Sequence, residues 1–320
     1  MARGPLYETG YKPQFSGHET FPLRYGWLKK AFDAIYGADK FKDNRSVFSG
    51  EEAIAEFGVG RNMALSMRHW ATAAGIVEDS PKAGLRITGM GRKIFGPRGR
   101  DPYVEHTTTL WLIHWHLAGR PELTTWFWCF NHYPALMFER EHLVKGLEKL
   151  ASNLNWSRVA SSTVKRDVEC FVRTYAAYAT EINAAREDDL ESPLTELGLI
   201  KAVGKRDGFR FARGPKGNLG DGVFTFAVID FWKGRFPGAS TLSFESLAYE
   251  LGSPGRVFML DENDLADRLM RIEEITDGAM RWSETAGLKQ VIRRKEISLE
   301  DALSVIENDY KPADRREAAR

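Results

Sequence analysis

A histidine and a carboxylate lie side by side near the N-terminus, within the run FSGHETFPLRYGW. His18 offers a base, Glu19 a carboxylate and Arg24 a cation, and Tyr25 follows directly. Scission of a phosphodiester strand needs a nucleophile, a base and positive charge on the transferring phosphate, so this group is a candidate catalytic site. A structural role explains these residues equally well, because Glu19 can cap the following helix and Arg24 can pair with Glu19.

No established nuclease signature accompanies this group, because H-N-H, GIY-YIG and well-spaced PD-(D/E)xK patterns are absent. Nucleases commonly use Mg²⁺ or Mn²⁺, which makes either ion a candidate cofactor with unknown ligands. Five of the seven histidines fall between His106 and His142. His114 and His116 are two residues apart on a helix and point to different faces, so core histidines are expected rather than a zinc site. Arg166 with Asp167 is a second candidate, which the charged first turn of a helix also explains.

Residues 49–96 predict a winged helix-turn-helix, the element that would bring DNA to this chemistry. A short helix carrying Ala53, Ile54 and Phe57 inward precedes a tight turn at residues 58–60. A second helix is predicted from Arg61 to about Ala74, with a buried stripe formed by Met63, Met67, Trp70 and Ala74. Two short strands then flank residues 79–84, which would form the wing. This arrangement presents a helix to the major groove and a hairpin to the backbone.

The residues predicted to contact DNA lie on the face and flank of the second helix, on the wing and on neighbouring helices: Lys29, Lys30, Arg61, Asn62, Ser66, Arg68, His69, Thr72, Lys82, Arg86 and Lys93. Residues 1–100 contain sixteen Lys and Arg against ten Asp and Glu, whereas residues 101–200 contain nine against fourteen. Because the net charge of the whole chain is only +1, this local surplus is what favours a polyanionic partner. Helix-turn-helix units also bind proteins, and a hydrophilic helix face is also explained by solvation alone.

The predicted fold is mostly α with small β-hairpins, divided into three parts and a tail. A winged helix-turn-helix domain covers residues 15–100, with a first helix from Pro22 to about Tyr36. A helical middle domain covers 101–188, and its first helix begins at Pro102 behind the cap Asp101. A helix, helix, hairpin order over 189–310 predicts a second winged-helix-like part, and residues 311–320 read as a flexible tail.

The composition, with 43% hydrophobic and 28% charged residues among 320, is that of a soluble globular protein. Cys129 and Cys170 lie far apart in apolar surroundings, so buried thiols are expected. The sequence contains no apolar run that approaches a membrane span and no signal-peptide core, so a cytoplasmic location is expected.

Four segments together carry a resemblance to a known family: FSGHETFPLRYGWLKK, GVGRNMALSMRHWATAAGIVED, ITGMGRKIFG and NWSRVASSTVKRDVECFVRTY. Over roughly residues 14–295 the chain resembles a bacterial family, long described as a domain of unknown function, that occurs beside genes for DNA phosphorothioation. The SspB-type DNA nicking proteins of the single-strand phosphorothioation system are of this kind. The resemblance implies binding and nicking of double-stranded DNA for sulfur insertion, with a cysteine desulfurase and sulfurtransferase or ATPase components as partners. It does not indicate which residues cut.

Three hypotheses follow for the function. The first is a DNA nicking endonuclease of a modification and defence system. The second is a non-catalytic DNA-binding module that recruits modifying enzymes or regulates transcription, which the missing nuclease signatures favour. The third is a scaffold whose winged helices bind proteins, and a steep loss of DNA affinity with salt would count against it.

Overall fold

The computed structural model describes residues 4–38, 44–49, 51–157, 159–177, 192–204, 207–285 and 287–311. Over these residues the chain is mostly helical with small antiparallel sheets, as the sequence predicts. Within this part of the chain, no helix is both long enough and apolar enough to cross a membrane. The predicted tail after Lys311 lies outside the described residues.

The first unit contains three helices, a hairpin and a closing helix: α1 (Trp27–Gly37), α2 (Glu51–Phe57), α3 (Arg61–Ala73), β1 (Val77–Ser80), β2 (Gly84–Ile87) and α4 (Gly89–Phe95). The turn between α2 and α3 depends on Gly58, whose φ of 65° suits glycine. Met67, Trp70 and Ala74 are buried, which confirms the predicted stripe of α3 except for Met63, which is only partly buried. The side chain of Asn44 bonds both the amide and the carbonyl of Leu85, which fixes the hairpin against the helices.

Two details of this unit differ from the prediction. The first helix begins at Trp27 rather than Pro22, because the preceding residues are held in an irregular loop by contacts with other helices. Ile54 was expected to point inward but is 42% exposed, whereas Ala53 and Phe57 are buried. The helix α2 has only seven residues, so its buried face is narrow.

The middle unit combines four helices with a three-stranded sheet: α5 (Thr107–Gly119), α6 (Thr124–Asn131), β3 (Met137–Glu139), α7 (Arg140–Asn153), α8 (Ser161–Tyr175), β4 (Ile200–Val203) and β5 (Gly208–Phe211). The strand order is β3-β5-β4, and Phe138 lies opposite Phe209. This sheet therefore joins chain segments on both sides of the boundary predicted at residues 188 and 189. The helix α5 begins at Thr107 rather than Pro102, because Asp101 accepts hydrogen bonds from two amides that precede the helix.

The third unit repeats this order of elements: α9 (Asp221–Arg235), β6 (Thr241–Ser243), α10 (Phe244–Tyr249), α11 (Pro254–Val257), α12 (Glu262–Met270), α13 (Ile272–Ile275), β7 (Met280–Thr285), β8 (Leu288–Arg293) and α14 (Leu299–Val305). Its strand order, β6-β8-β7, matches that of the middle unit. In both units a short strand before the helices pairs with the second strand of the hairpin that follows them.

One buried core runs through the three units, and within it α5 contacts α6 of its own unit and α9 and α11 of the third unit. His114 lies at its centre and bonds the hydroxyl of Tyr175 at 2.8 Å and the carbonyl of Val257 at 2.7 Å. It is therefore a fully hydrogen-bonded core histidine, as predicted. Cys129 and Cys170 are buried free thiols, also as predicted.

Candidate functional site

The N-terminal loop, residues 16–21, carries the predicted catalytic histidine and has an unusual backbone. Ser16, Glu19 and Thr20 have φ angles of 69°, 48° and 71°. Each non-glycine residue in this left-handed region costs on the order of 1 kcal/mol or more, so surrounding contacts must hold the loop in place. Strained residues of this kind concentrate at functional sites.

His18 is 1% exposed and is bonded at both ring nitrogens. Its Nε2–H donates to Oδ1 of Asp167 at 2.7 Å, and its Nδ1 accepts the amide of Thr20 at 3.0 Å. The same Asp167 oxygen accepts the amide of Ser16 at 2.8 Å. These bonds hold the imidazole in one tautomer and away from solvent. The geometry therefore makes His18 an internal anchor of the N-terminal loop, and Asp167 is buried rather than on the solvent side of α8.

The N-terminal loop is wedged between α3 and α8. On the α3 side, the hydroxyl of Ser66 donates to the carbonyl of His18 at 2.9 Å. The indole of Trp70 donates to the carbonyl of Phe21 at 3.0 Å, and the thiol of Cys170 on α8 donates to the same carbonyl at 3.4 Å. The two helices are thereby tied to each other through the backbone of one short segment.

Ser66 and His69 are not on the exposed face of α3, where the sequence placed them for DNA contact. Ser66 is fully buried under the loop. The ring of His69 faces Gly17, where an added Cβ would lie 2.7 Å from Nδ1 of that ring. Ser66 is therefore closed to DNA, whereas His69 is only partly buried and borders the cleft described below.

The structure separates the four predicted catalytic residues. Glu19 borders a large cleft, whereas the guanidinium of Arg24 is 8% exposed and lies 5.5 Å from the centre of the Phe21 ring. The hydroxyl of Tyr25 donates to the carboxylate of Glu196. With His18 buried, only Glu19 of this group lines the cleft.

This cleft has a volume of about 850 Å³ and is enclosed by α3 and β1 on one side and by α5, α9 and α14 on the other. Its charged and titratable lining includes Glu19, Arg68, His69, His116, Arg120 and Asp230. His116 faces the cleft whereas His114 faces the core, which confirms that the two rings point to different sides of α5.

Burial lowers the pKa of His69 to about 4 and that of His116 to about 3, so both rings are neutral at pH 7. Both nitrogens of His116 and Nε2 of His69 are buried without a hydrogen-bond partner among the described protein atoms.

The sequence did not predict that His116 and Asp230 line the same cleft. The spacing of the histidines showed only that one of them must leave the core, not which element it would meet.

Two of the cleft carboxylates, Asp230 and Asp79, are engaged by cations. Asp230 accepts the indole N–H of Trp115 at 2.8 Å and Arg120 at 3.3 Å. The guanidinium of Arg45, and to a smaller extent that of Arg68, holds the pKa of Asp79 below its usual value. Among the described residues, no three His, Cys, Asp or Glu side chains converge to hold a metal ion.

The predicted DNA-contacting residues divide into two groups. Exposed ones on α3 and the hairpin are Arg61, Asn62, Thr72, Lys82 and Arg86. Others are held by the protein: Arg68 pairs with Asp79, Lys29 with Asp33 and Lys93 with Glu307, and Lys30 donates to the carbonyl of Phe57. The first group is the more available for a polyanion.

Comparison with known proteins gives one family and two solved structures. The family model described as "Protein of unknown function (DUF4007)" matches residues 15–310. The chain is 25% identical to the "Magnesium ion-bound SspB crystal structure", with a TM-score of 0.81, covering 96% of this chain and 90% of that one. The "SspB crystal structure" gives 26% identity and a TM-score of 0.79, covering 95% and 90%. No curated protein matches the chain.

The His18–Asp167 pair predicts a large loss of stability when its acceptor is removed. Asp167→Ala leaves the buried Nε2–H of His18 and the amide of Ser16 without an acceptor, so the free energy of unfolding should fall by about 2–5 kcal/mol. Glu169→Ala is the matched control, because this carboxylate lies on the same helix but is exposed, and its loss should stay below about 1 kcal/mol. Urea unfolding measures both, and equal losses would contradict the anchoring role of Asp167.

The buried neutral histidines predict that stability falls in mild acid. The pKa values of His69, His114 and His116 are lowered to about 4, 3 and 3, so the unfolded chain binds more protons than the folded one below pH 6.5. The free energy of unfolding should therefore decline from about pH 6.5 to about pH 4, by at most about 1.4 kcal/mol per pH unit for each histidine. Urea unfolding across this range measures the slope. His116→Gln should reduce it, and a slope independent of that change would show that His116 is already charged in the folded protein.

Proposed function

Since this chain belongs to the DUF4007 family, we propose that it is a DNA-binding protein that nicks duplex DNA in a DNA phosphorothioation system. The similarity to SspB over nearly the whole chain supports the system. Binding rests on further arguments from this chain's own residues, and nicking rests on the resemblance. The partners would be double-stranded DNA and the cysteine desulfurase and sulfurtransferase or ATPase components of the system.

The observation that carries the binding proposal is the basic outer surface of α3 and its hairpin. Arg61 and Asn62 open α3 on the exposed side, and Lys82 and Arg86 lie exposed on the hairpin that follows. In a winged helix-turn-helix the second helix of the motif enters the major groove and the hairpin contacts phosphates. The element order and this charge fit that mode of binding.

The nicking proposal draws on the resemblance to SspB-type proteins, and the cleft beside the N-terminal loop is its best location. Glu19 lines this cleft in a left-handed conformation. One similar structure is titled as magnesium ion-bound, which makes Mg²⁺, or Mn²⁺ in its place, the metal to test. Among the described residues, no three His, Cys, Asp or Glu side chains of the cleft lie close enough together to bind one ion.

A non-catalytic recruitment module is the second candidate function. The burial of His18, the nearest imidazole to Glu19 in sequence, favours it, because the N-terminal loop then exposes no imidazole to act as a base. Both functions require the same DNA-binding surface, so only an assay of strand scission separates them.

We expect the pair of substitutions Arg61→Ala and Arg86→Ala to weaken duplex DNA binding by about tenfold or more, because each removes one phosphate contact. Both residues are exposed, so the thermal melting temperature should not change. Fluorescence anisotropy at several salt concentrations measures the affinity and its salt slope. Unchanged affinity would show that α3 and its hairpin do not face the DNA.

Conversion of supercoiled plasmid to open circle tests nicking, with Mg²⁺, with Mn²⁺ and with chelator. We expect metal-dependent open circle that is lost in Glu19→Gln but kept in Glu245→Gln, an exposed carboxylate of α10 in the third unit. Open circle that persists in Glu19→Gln would remove Glu19 from the chemistry and keep the nicking function. No open circle with any metal, together with intact DNA binding, would favour the recruitment module.

A further inference from the structure

The middle unit places α8 where the first unit places α3. Each of these helices follows a shorter helix, α7 before α8 and α2 before α3. Each is also followed along the chain by an antiparallel hairpin, β4–β5 after α8 and β1–β2 after α3. The strand order β3-β5-β4 adds the short third strand that completes a winged-helix sheet. The sequence did not reveal this unit, because β3 has only three residues and the hairpin lies far along the chain.

The exposed face of α8 is basic and rich in hydroxyls. Ser161, Ser162, Lys165 and Arg166 are all exposed on its first two turns. Among the described residues, neither Lys165 nor Arg166 is in an ion pair, whereas the acidic Glu169 is paired with Arg140 at 2.8 Å. This face therefore presents two cations without an ion-pair partner in the described part of the chain, and the nearby carboxylate on α7 is Glu141, whose pKa is lowered by Lys145 first and also by Lys165.

The hairpin of the middle unit carries positive charge as well. Lys201 on β4 and Arg210 on β5 lie directly opposite each other, and both side chains are exposed. A basic helix followed by a basic hairpin is the layout with which a winged helix contacts the groove and the phosphate backbone of duplex DNA.

The third unit has the same strand order but the opposite charge on the corresponding helix. Glu262, Asp267 and Glu274 are exposed on α12 and α13. Phosphates would be repelled from this surface. Charge thus distinguishes the middle unit from a neighbour of equal topology.

We propose that the middle unit is a second contact surface for duplex DNA, with Lys165 and Arg166 of α8 and the hairpin pair Lys201 and Arg210 contacting phosphates. This inference rests on the proposed function, since it adds a second surface to the DNA-binding role of α3. The N-terminal loop sets the relation between the two surfaces. It bonds Asp167, the neighbour of Arg166 on α8, and Ser66 on α3, so the two helices are held in a fixed relation to each other.

The test compares three double variants of the full chain on a duplex long enough to span both units. The first is Lys165→Ala with Arg166→Ala, and the second is Arg61→Ala with Arg86→Ala. The matched control is Lys289→Ala with Arg281→Ala, which removes one exposed Lys and one exposed Arg from the hairpin of the third unit. Fluorescence anisotropy at several salt concentrations gives the affinity and its slope, and thermal melting checks the fold.

We expect the α8 variant to bind about tenfold or more weakly, with a salt slope reduced by up to about 2, while the control stays within about twofold of the unchanged protein. A hydroxyl-radical footprint should shorten at one end in the α8 variant. Full affinity in the α8 variant together with weak binding in the α3 variant would overturn this inference and leave the proposed function standing. Full affinity in both variants would overturn the proposed function as well. An equal loss in the control would show a general charge effect and overturn the assignment to α8.

Discussion

The buried hydrogen bond between His18 and Asp167 is the interaction on which the arrangement of the molecule depends. It joins residues 149 positions apart and holds a strained loop against two helices of different units. The left-handed residues of that loop persist because Asp167, Ser66 and Trp70 determine its backbone from both sides. Without this pair, α3 and α8 would still meet at the carbonyl of Phe21, but the loop between them would lose its buried acceptor on α8.

The middle and third units show that one strand topology can carry surfaces of opposite charge. Middle and third units have the same strand order, yet α8 exposes lysine and arginine where α12 exposes glutamate and aspartate. Their buried faces are alike in being apolar, since packing requires this of any such helix. Any difference in the partners of these two units would lie in the outer positions, which a fold comparison does not resolve.

Local patterns in the sequence predicted the elements well, and long-range contacts determined what they missed. The stripe of Met67 and Trp70 follows from periodicity within a few residues, and the structure has it where predicted. The roles of His18 and Ser66 depend on a partner elsewhere in the chain, and no spacing rule indicates that a polar residue will be covered. His116 shows where prediction from local patterns ends. Its divergence from His114 was predictable from helix geometry, but its position opposite Asp230 of α9 was not.

The anchoring of the N-terminal loop also has a consequence for synthesis of the chain. Residues 16–21 leave the ribosome well before α8 does, and the loop has no bond to Asp167 or Cys170 until that helix has emerged. A nascent chain that ends before α8 can form α1 to α4 from local contacts, but its loop is free to relax from the left-handed conformations. Closure of the loop is therefore a late step of folding, and it makes the geometry of the first unit conditional on completion of the middle one.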